Sequence, residues 1–228
     1  MGVKANRRHI KRLASSKYIG VGRKSSAYVA KPLPGRHTKT SNIAIKTILT
    51  EKLGLTSTGK ESEKIIKGKN IKVNGNVIKN PLYPVGFGDI IEIPVLGENF
   101  FINNTKNGSF TLEKIKEPKQ QLFKVIGKYK TKGNKVMLRL HDGRIINTDK
   151  SKEINVNDSV DIKNKEISSI IKLEEGGKCL VIKGNHTSQS GIIRKIINGT
   201  ATRSSLVSIS SGKENFETTL DNIIAIAD

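Results

Sequence analysis

Residues 1–50 contain twelve Lys and Arg and neither Asp nor Glu. The cations are Lys4, Arg7, Arg8, Lys11, Arg12, Lys17, Arg23, Lys24, Lys31, Arg36, Lys39 and Lys46. The chemistry open to such a run is electrostatic. Ordinary surfaces mix both signs because like charges repel. Each phosphate neutralised by Lys or Arg releases a condensed counterion, so a basic segment gains affinity from any nucleic acid it touches. Over the whole chain Lys plus Arg outnumber Asp plus Glu by 41 to 20, and residues 1–97 hold 19 of the bases against 5 of the acids. That leaves +14 in the first part and +7 in the rest, so the excess is concentrated. Nucleic acid is therefore the expected partner.

Other chemistries fail on their residues. Gly22-Arg23-Lys24-Ser25 suggests a phosphate-binding P-loop, but Lys17 stands where that loop needs its first Gly, and no apolar strand precedes it. His141-Asp142-Gly143 reads as a hairpin turn rather than a catalytic pair. His9, His37, His141 and His186 are dispersed and lack Cys partners, so neither a metal nor a cofactor is expected. Cys179 lies in an apolar run, has no partner for a disulfide and reads as a small buried hydrophobe. No apolar run resembles a secretory signal or a membrane span, which points to a cytoplasmic protein without a membrane partner. With 4 % aromatics and no Trp, base stacking is limited to a few positions, and phosphate contacts must supply most of the binding.

The elements that would position these bases follow from periodicity. Gly20, Gly22, Pro32, Pro34 and Gly35 keep residues 1–40 from long regular structure, and such a segment is expected to be an extended arm that orders on its partner. Ala44, Ile45, Ile48, Leu49 and Leu53 recur at helical spacing before Gly54. A second helix opens with Thr58 and Glu61 in capping-box register; Ile65 and Ile66 form its buried side, and Lys60, Lys64 and Lys67 its outer one. A hairpin follows, with Lys72 and Val73 on one strand, Val77 on the other and Asn74-Gly75 at the turn. Gly88-Asp89 then leads into the strand 90–93. Beyond Pro94 the chain reads as β structure, with strands expected at 100–102, 110–115, 122–129, 135–140, 144–147 and 160–162. The last segment offers strands at 177–184, 191–196, 206–210 and 223–226, with Lys183, Arg194 and Lys195 near the first connecting loop.

Two helices followed by the Val73-Asn74-Gly75 and Gly88-Asp89-Ile90 steps resemble the S4-type RNA-binding domain. The stretch from Gly177 through Gly184 to Gly191 resembles a KOW motif of a small SH3-like barrel. In that order, after an acid-free arm, these modules resemble the small-subunit ribosomal protein S4e family of archaea and eukaryotes. His9-Ile10-Lys11-Arg12-Leu13-Ala14, Tyr83-Pro84-Val85-Gly86-Phe87-Gly88-Asp89, Gly97-Glu98-Asn99-Phe100 and Leu220-Asp221-Asn222-Ile223 carry the likeness.

The resemblance implies an α+β, mostly β chain. It would consist of a basic N-terminal arm (1–40), an S4-type RNA-binding domain of two helices and a small hairpin (41–97), a middle β domain (98–174) and a C-terminal KOW SH3-like barrel (175–228). It implies a structural ribosomal constituent rather than an enzyme. The expected partners are small-subunit (16S-type) ribosomal RNA and neighbouring small-subunit proteins, with no small-molecule substrate. Ser15-Ser16-Lys17-Tyr18-Ile19 stands where family members carry Pro and Trp, and the end at Asp228 directly after a strand favours the archaeal type. The alternatives are a KOW-containing transcription adaptor and, without the Gly-Arg-Leu-Asp run it would need, an S4-domain RNA-modifying enzyme such as a pseudouridine synthase.

Overall fold

The computed structural model describes residues 10–116, 121–131, 136–148, 153–163, 166–212 and 214–227. They form two compact units, one holding the residues up to 103 together with 109–116, the other holding 104–108 and the chain from 121 onward.

The first unit begins with β1 (Ile10–Lys11) and β2 (Tyr28–Val29), which pair antiparallel, and β3 (Ile43–Ala44). The helix expected from Asn42 starts later, as α1 (Ile45–Thr47), and continues as a π-helical turn over Ile48–Lys52. The reason is the neighbouring strand β6 (Pro84–Val85), which holds Ile43 and Ala44 extended. The first free N–H groups of α1 are then satisfied from outside the helix, Ile45 donating to Tyr83 O at 3.0 Å and Lys46 to Pro81 O at 3.1 Å. Helix α2 (Gly59–Lys67) starts on the expected capping box: Thr58 Oγ1 accepts from Glu61 N, and Glu61 reaches back to Thr58 N.

Strands β4 (Lys72–Val73) and β5 (Asn76–Val77) form the expected hairpin. Asn74 and Gly75 take φ of 49° and 76°, the pair of positive values that a two-residue turn of this hand requires. The sheet runs β5-β4-β7-β8-β9, with β7 (Ile90–Ile93), β8 (Glu98–Asn104) and β9 (Phe110–Ile115). Hairpin 98–115 therefore extends this sheet instead of opening the middle β domain that the sequence suggests. Its inward residues explain the difference, because Phe100, Ile102 and Phe110 join the same core as Ile45, Ile66 and Ile91.

The arm also departs from expectation, since residues 10–40 fold onto this core. Ile19 is buried inside it, with Tyr18 and Val21 packed alongside, and the helical structure there is short, 3-10 turns at Arg12–Ala14 and Lys17–Ile19.

The second unit carries two five-stranded antiparallel sheets. One runs β12-β11-β10-β13-β14, from β10 (Leu122–Lys130), β11 (Val136–Leu140), β12 (Ile145–Thr148), β13 (Ser159–Lys163) and β14 (Glu166–Ile171). Phe123, Val125, Leu138, Leu140 and Val160 fill its core. His141-Asp142-Gly143 is the turn between β11 and β12, with Gly143 at φ 89°. The other sheet runs β18-β17-β16-β15-β19, from β15 (Lys178–Val181), β16 (Ser190–Ile197), β17 (Leu206–Ser211), β18 (Glu214–Thr219) and β19 (Ile223–Ala225). Cys179 is buried here, opposite Ala225, and burial pushes its thiol pKa up to about 11, as befits a packing residue. Gly184 has a φ of 96°, the turn role its position suggests. Gly191 lies within β16 and is required for another reason: a Cβ there would come within 2.5 Å of Ile209 Cγ2 and 2.7 Å of Ser210 O. Strands β14 and β18 are additions to the expected set.

Candidate nucleic-acid interface

Helix α2 turns Ile66 into the core, which leaves Lys60, Lys64 and Lys67 exposed on its outer side. Lys72 on β4 is half-buried beside them in sequence, whereas Lys69 and Lys79 are exposed and carry no periodic signal because they lie in connecting segments. Lys46 differs from these bases. Its ammonium is 2.6 Å from Glu63, which lowers the Glu63 pKa through that hydrogen bond, and Lys67 approaches the same carboxylate at 3.9 Å. The charge of Lys46 is thus engaged within the protein.

Two arginines of the arm are likewise turned inward, a correction to their reading as open phosphate ligands. Arg12 is 5 % exposed. Its guanidinium donates to Glu51 at 2.9 and 2.6 Å, to Ser26 Oγ at 3.0 Å and to Gly22 O at 3.0 Å. Arg36 donates to Asp89 at 2.8 Å. A buried guanidinium needs such a carboxylate, because desolvating an unpaired charge costs several kcal/mol or more. The remaining arm bases are placed outward: Lys11, Lys17, Arg23, Lys24 and Lys39 are exposed and Lys31 is half-buried. Lys4, Arg7 and Arg8 lie outside the described residues. In the second unit Arg194 and Lys195 are exposed and Lys183 is half-buried, with Arg194 donating to Ser210 Oγ at 3.2 Å.

An acidic residue ties the arm to the rest of the first unit. Asp89 is fully buried and accepts from Arg36 at 2.8 Å, Asn74 Nδ2 at 2.7 Å, His37 Nε2 at 2.7 Å and Gly86 N at 3.0 Å. Burial by itself raises its pKa; the charges and hydrogen bonds of His37, Arg36 and Asn74 outweigh that and hold the carboxyl well below the usual carboxylate range. One side chain therefore ties the arm, the β4–β5 turn and the loop before β7 together. In the sequence it shows as part of the Gly88-Asp89 step that carries the likeness to the S4-type domain, and as the lone acid between Glu63 and Glu92, but nothing there signals its role as the buried tie.

Among the described residues no group of three or more His, Cys, Asp or Glu could hold a metal ion, and no helix is long and apolar enough to cross a membrane. What the arrangement can do is present cations, at fixed spacing, to a polyanion.

Comparison with known proteins gives the same picture. A model of the S4 domain matches residues 46–91, and one described as ribosomal family S4e matches residues 96–168. The small ribosomal subunit protein eS4 of Nanoarchaeum equitans is 32 % identical over 223 residues, 96 % of this chain and 95 % of its own. The protein of the same name from Thermoplasma acidophilum is 32 % identical over 221 residues, covering 95 % of this chain and 91 % of its own. A crystal structure of the 30S ribosomal protein S4e from Thermoplasma acidophilum superposes with a TM-score of 0.66 at 30 % identity, over 82 % of this chain and 94 % of that one.

Proposed function

This chain belongs to the ribosomal family S4e, and on that premise we propose that it is a structural constituent of the small ribosomal subunit, binding small-subunit ribosomal RNA beside neighbouring small-subunit proteins in the cytoplasmic ribosome. The observation that carries the reading is the outer side of α2, where Lys60, Lys64 and Lys67 stand exposed on a helix fixed by its capping box and its buried Ile66. Rigid spacing of cations suits the phosphates of structured RNA, and the arm's exposed Lys17, Arg23, Lys24 and Lys39 supply a second set. The KOW-like segment, with Arg194 and Lys195 outward on β16, is assigned a third contact.

The test replaces Lys60, Lys64, Lys67 and Lys72 together by Ala in the full chain. Thermal melting should stay near that of the unaltered protein, since these side chains leave no cavity. Affinity for small-subunit RNA should drop across sequences, and the slope of log affinity against log salt should flatten by roughly 0.9 for each duplex phosphate that is no longer neutralised. A variant that binds and assembles undiminished would remove this face from the interface.

A further inference from the structure

Resting on the small-subunit reading, we propose that the outer face of strands β10, β11 and β12 docks a neighbouring protein through Tyr129, Met137, Arg139 and Ile145, and that this partner offers a carboxylate set among apolar side chains. Register fixes the face. Leu138 and Leu140 turn into the core of the sheet, so the alternate residues Met137 and Arg139 turn outward. Met137 stands opposite Tyr129 on one side and Asn147 on the other, and Arg139 opposite Gly127 and Ile145. Tyr129 and Ile145 are exposed, as is Ile126 at the bulge between Val125 and Gly127, and Met137 is half-buried. An antiparallel sheet with one wet face ordinarily turns polar residues to it, whereas here the side turned to solvent is mostly apolar.

The residue types identify the occupant. No Lys, Asp or Glu stands at these outward positions, and the cation among them is Arg, in a chain where nine of the 41 Lys and Arg are Arg. The face assigned to RNA on α2 is built of Lys, whereas protein interfaces favour Tyr, Met and Arg and exclude Lys, Asp and Glu. Arg139 also lacks an internal partner: it makes no hydrogen bond or ion pair among the described residues. Arg144, five residues on, is by contrast bound to Asp142 and lies over the Phe123 ring at 4.2 Å. Beneath Arg139 is Gly127, whose φ is not left-handed, so its missing side chain serves space rather than backbone freedom. A Cβ there would sit 3.9 Å from Arg139 Nε. An unpaired guanidinium among apolar neighbours is a fork for one carboxylate, held through two parallel hydrogen bonds.

The test uses the full chain and small subunits reconstituted without it. Tyr129→Ala with Ile145→Ala, which changes no charge, and separately Arg139→Gln, each compete against the unaltered chain for those particles. Both should lose roughly thirtyfold in the competition, as truncation of an interface hot spot does. Both should melt near the temperature of the unaltered chain, and the neutral pair should bind naked small-subunit RNA as tightly as it does. Arg139→Lys supplies an amine, and carbodiimide treatment of its particles should join position 139 to an Asp or Glu of another protein, located by mass spectrometry. Undiminished competition by the two variants overturns the docking face. An equal loss on naked RNA returns the face to RNA, and a crosslink running only to a second copy of this chain makes it a self-association surface; either overturns the proposal and leaves the small-subunit reading in place. An unaltered chain that does not enter the particles overturns both.

Discussion

His37 Nε2 lies 2.7 Å from Oδ2 of Asp89, with both side chains inside the protein at 3 % and 0 % exposed. Because the carboxyl is held ionised, the imidazole nitrogen is the donor. His37 adopts a φ of 60°, a conformation uncommon outside glycine, in making this contact. The relationship joins a residue of the basic arm to the first residue before β7. Together with the Arg12–Glu51 pair and the buried Ile19, it holds an arm without acids against the core.

Asp89→Asn should leave Arg36 and His37 facing a neutral amide. Breaking a buried charge pair of this kind costs about 3–5 kcal/mol. Thermal melting should register the loss, and tryptic cleavage after Arg36 should accelerate because the arm is released with it.

The same carboxyl makes stability fall in acid. Its folded pKa lies below the ordinary value of 3.8, so the unfolded chain takes up the proton first. The stabilisation is complete above the ordinary value and is lost as pH falls from about 4 downward through the lower folded value. Urea midpoints measured along that descent should drop in the parent protein, and less steeply in Asp89→Asn.

Gly86→Ala should displace His37 directly. A Cβ at that position would come within 2.7 Å of His37 Cγ and 2.8 Å of Ser41 O, and the backbone oxygen cannot swing aside. A loss of about 1–3 kcal/mol is expected, as for overpacking elsewhere. Chemical denaturation measures it.

Ile19→Ala decides whether the arm is part of the folded unit. Deleting a buried Ile side chain of this size typically costs about 2–5 kcal/mol. An arm disordered in the free protein predicts no change at all in the denaturation midpoint, whereas the packed arm predicts a clear downward shift.

Lys124 makes a prediction at the alkaline end. Its ammonium is buried on β10 and donates to Leu220 O. Burial lowers its pKa from 10.5 to about 8; Asp221 opposes that shift and Lys183 adds to it. Between those values the unfolded chain holds a proton that the folded chain has released, so this group's contribution rises with pH across the window. Lys124→Met should flatten the stability profile between about pH 8 and 10.5 relative to the parent, read by urea denaturation at intervals.

Local signals are legible where they are sufficient in themselves. The Thr58–Glu61 capping box, the Asn74-Gly75 turn and the strand Phe110–Ile115 appear where the sequence places them. Each depends on neighbours a few residues apart. Strand β14 escapes a reading of the sequence because Glu166-Ile167-Ser168-Ser169-Ile170-Ile171 lacks clean alternation, and its place is set by pairing with β13. Strand β18 escapes it for a similar reason, as the buried Phe216 stands in a polar run opposite β17.

The amino-acid sequence by itself determined the electrostatic character of the chain, the α+β and mostly β class, and the family likeness. Charge and short-range periodicity are properties of composition and spacing. Which cations stay open to a partner was decided only by tertiary structure. Arg12, Arg36 and Lys46 resemble their neighbours in sequence, yet Glu51, Asp89 and Glu63 engage them from 39, 53 and 17 residues away. No local pattern encodes such pairings, because a buried charge finds its partner through the fold that desolvates both.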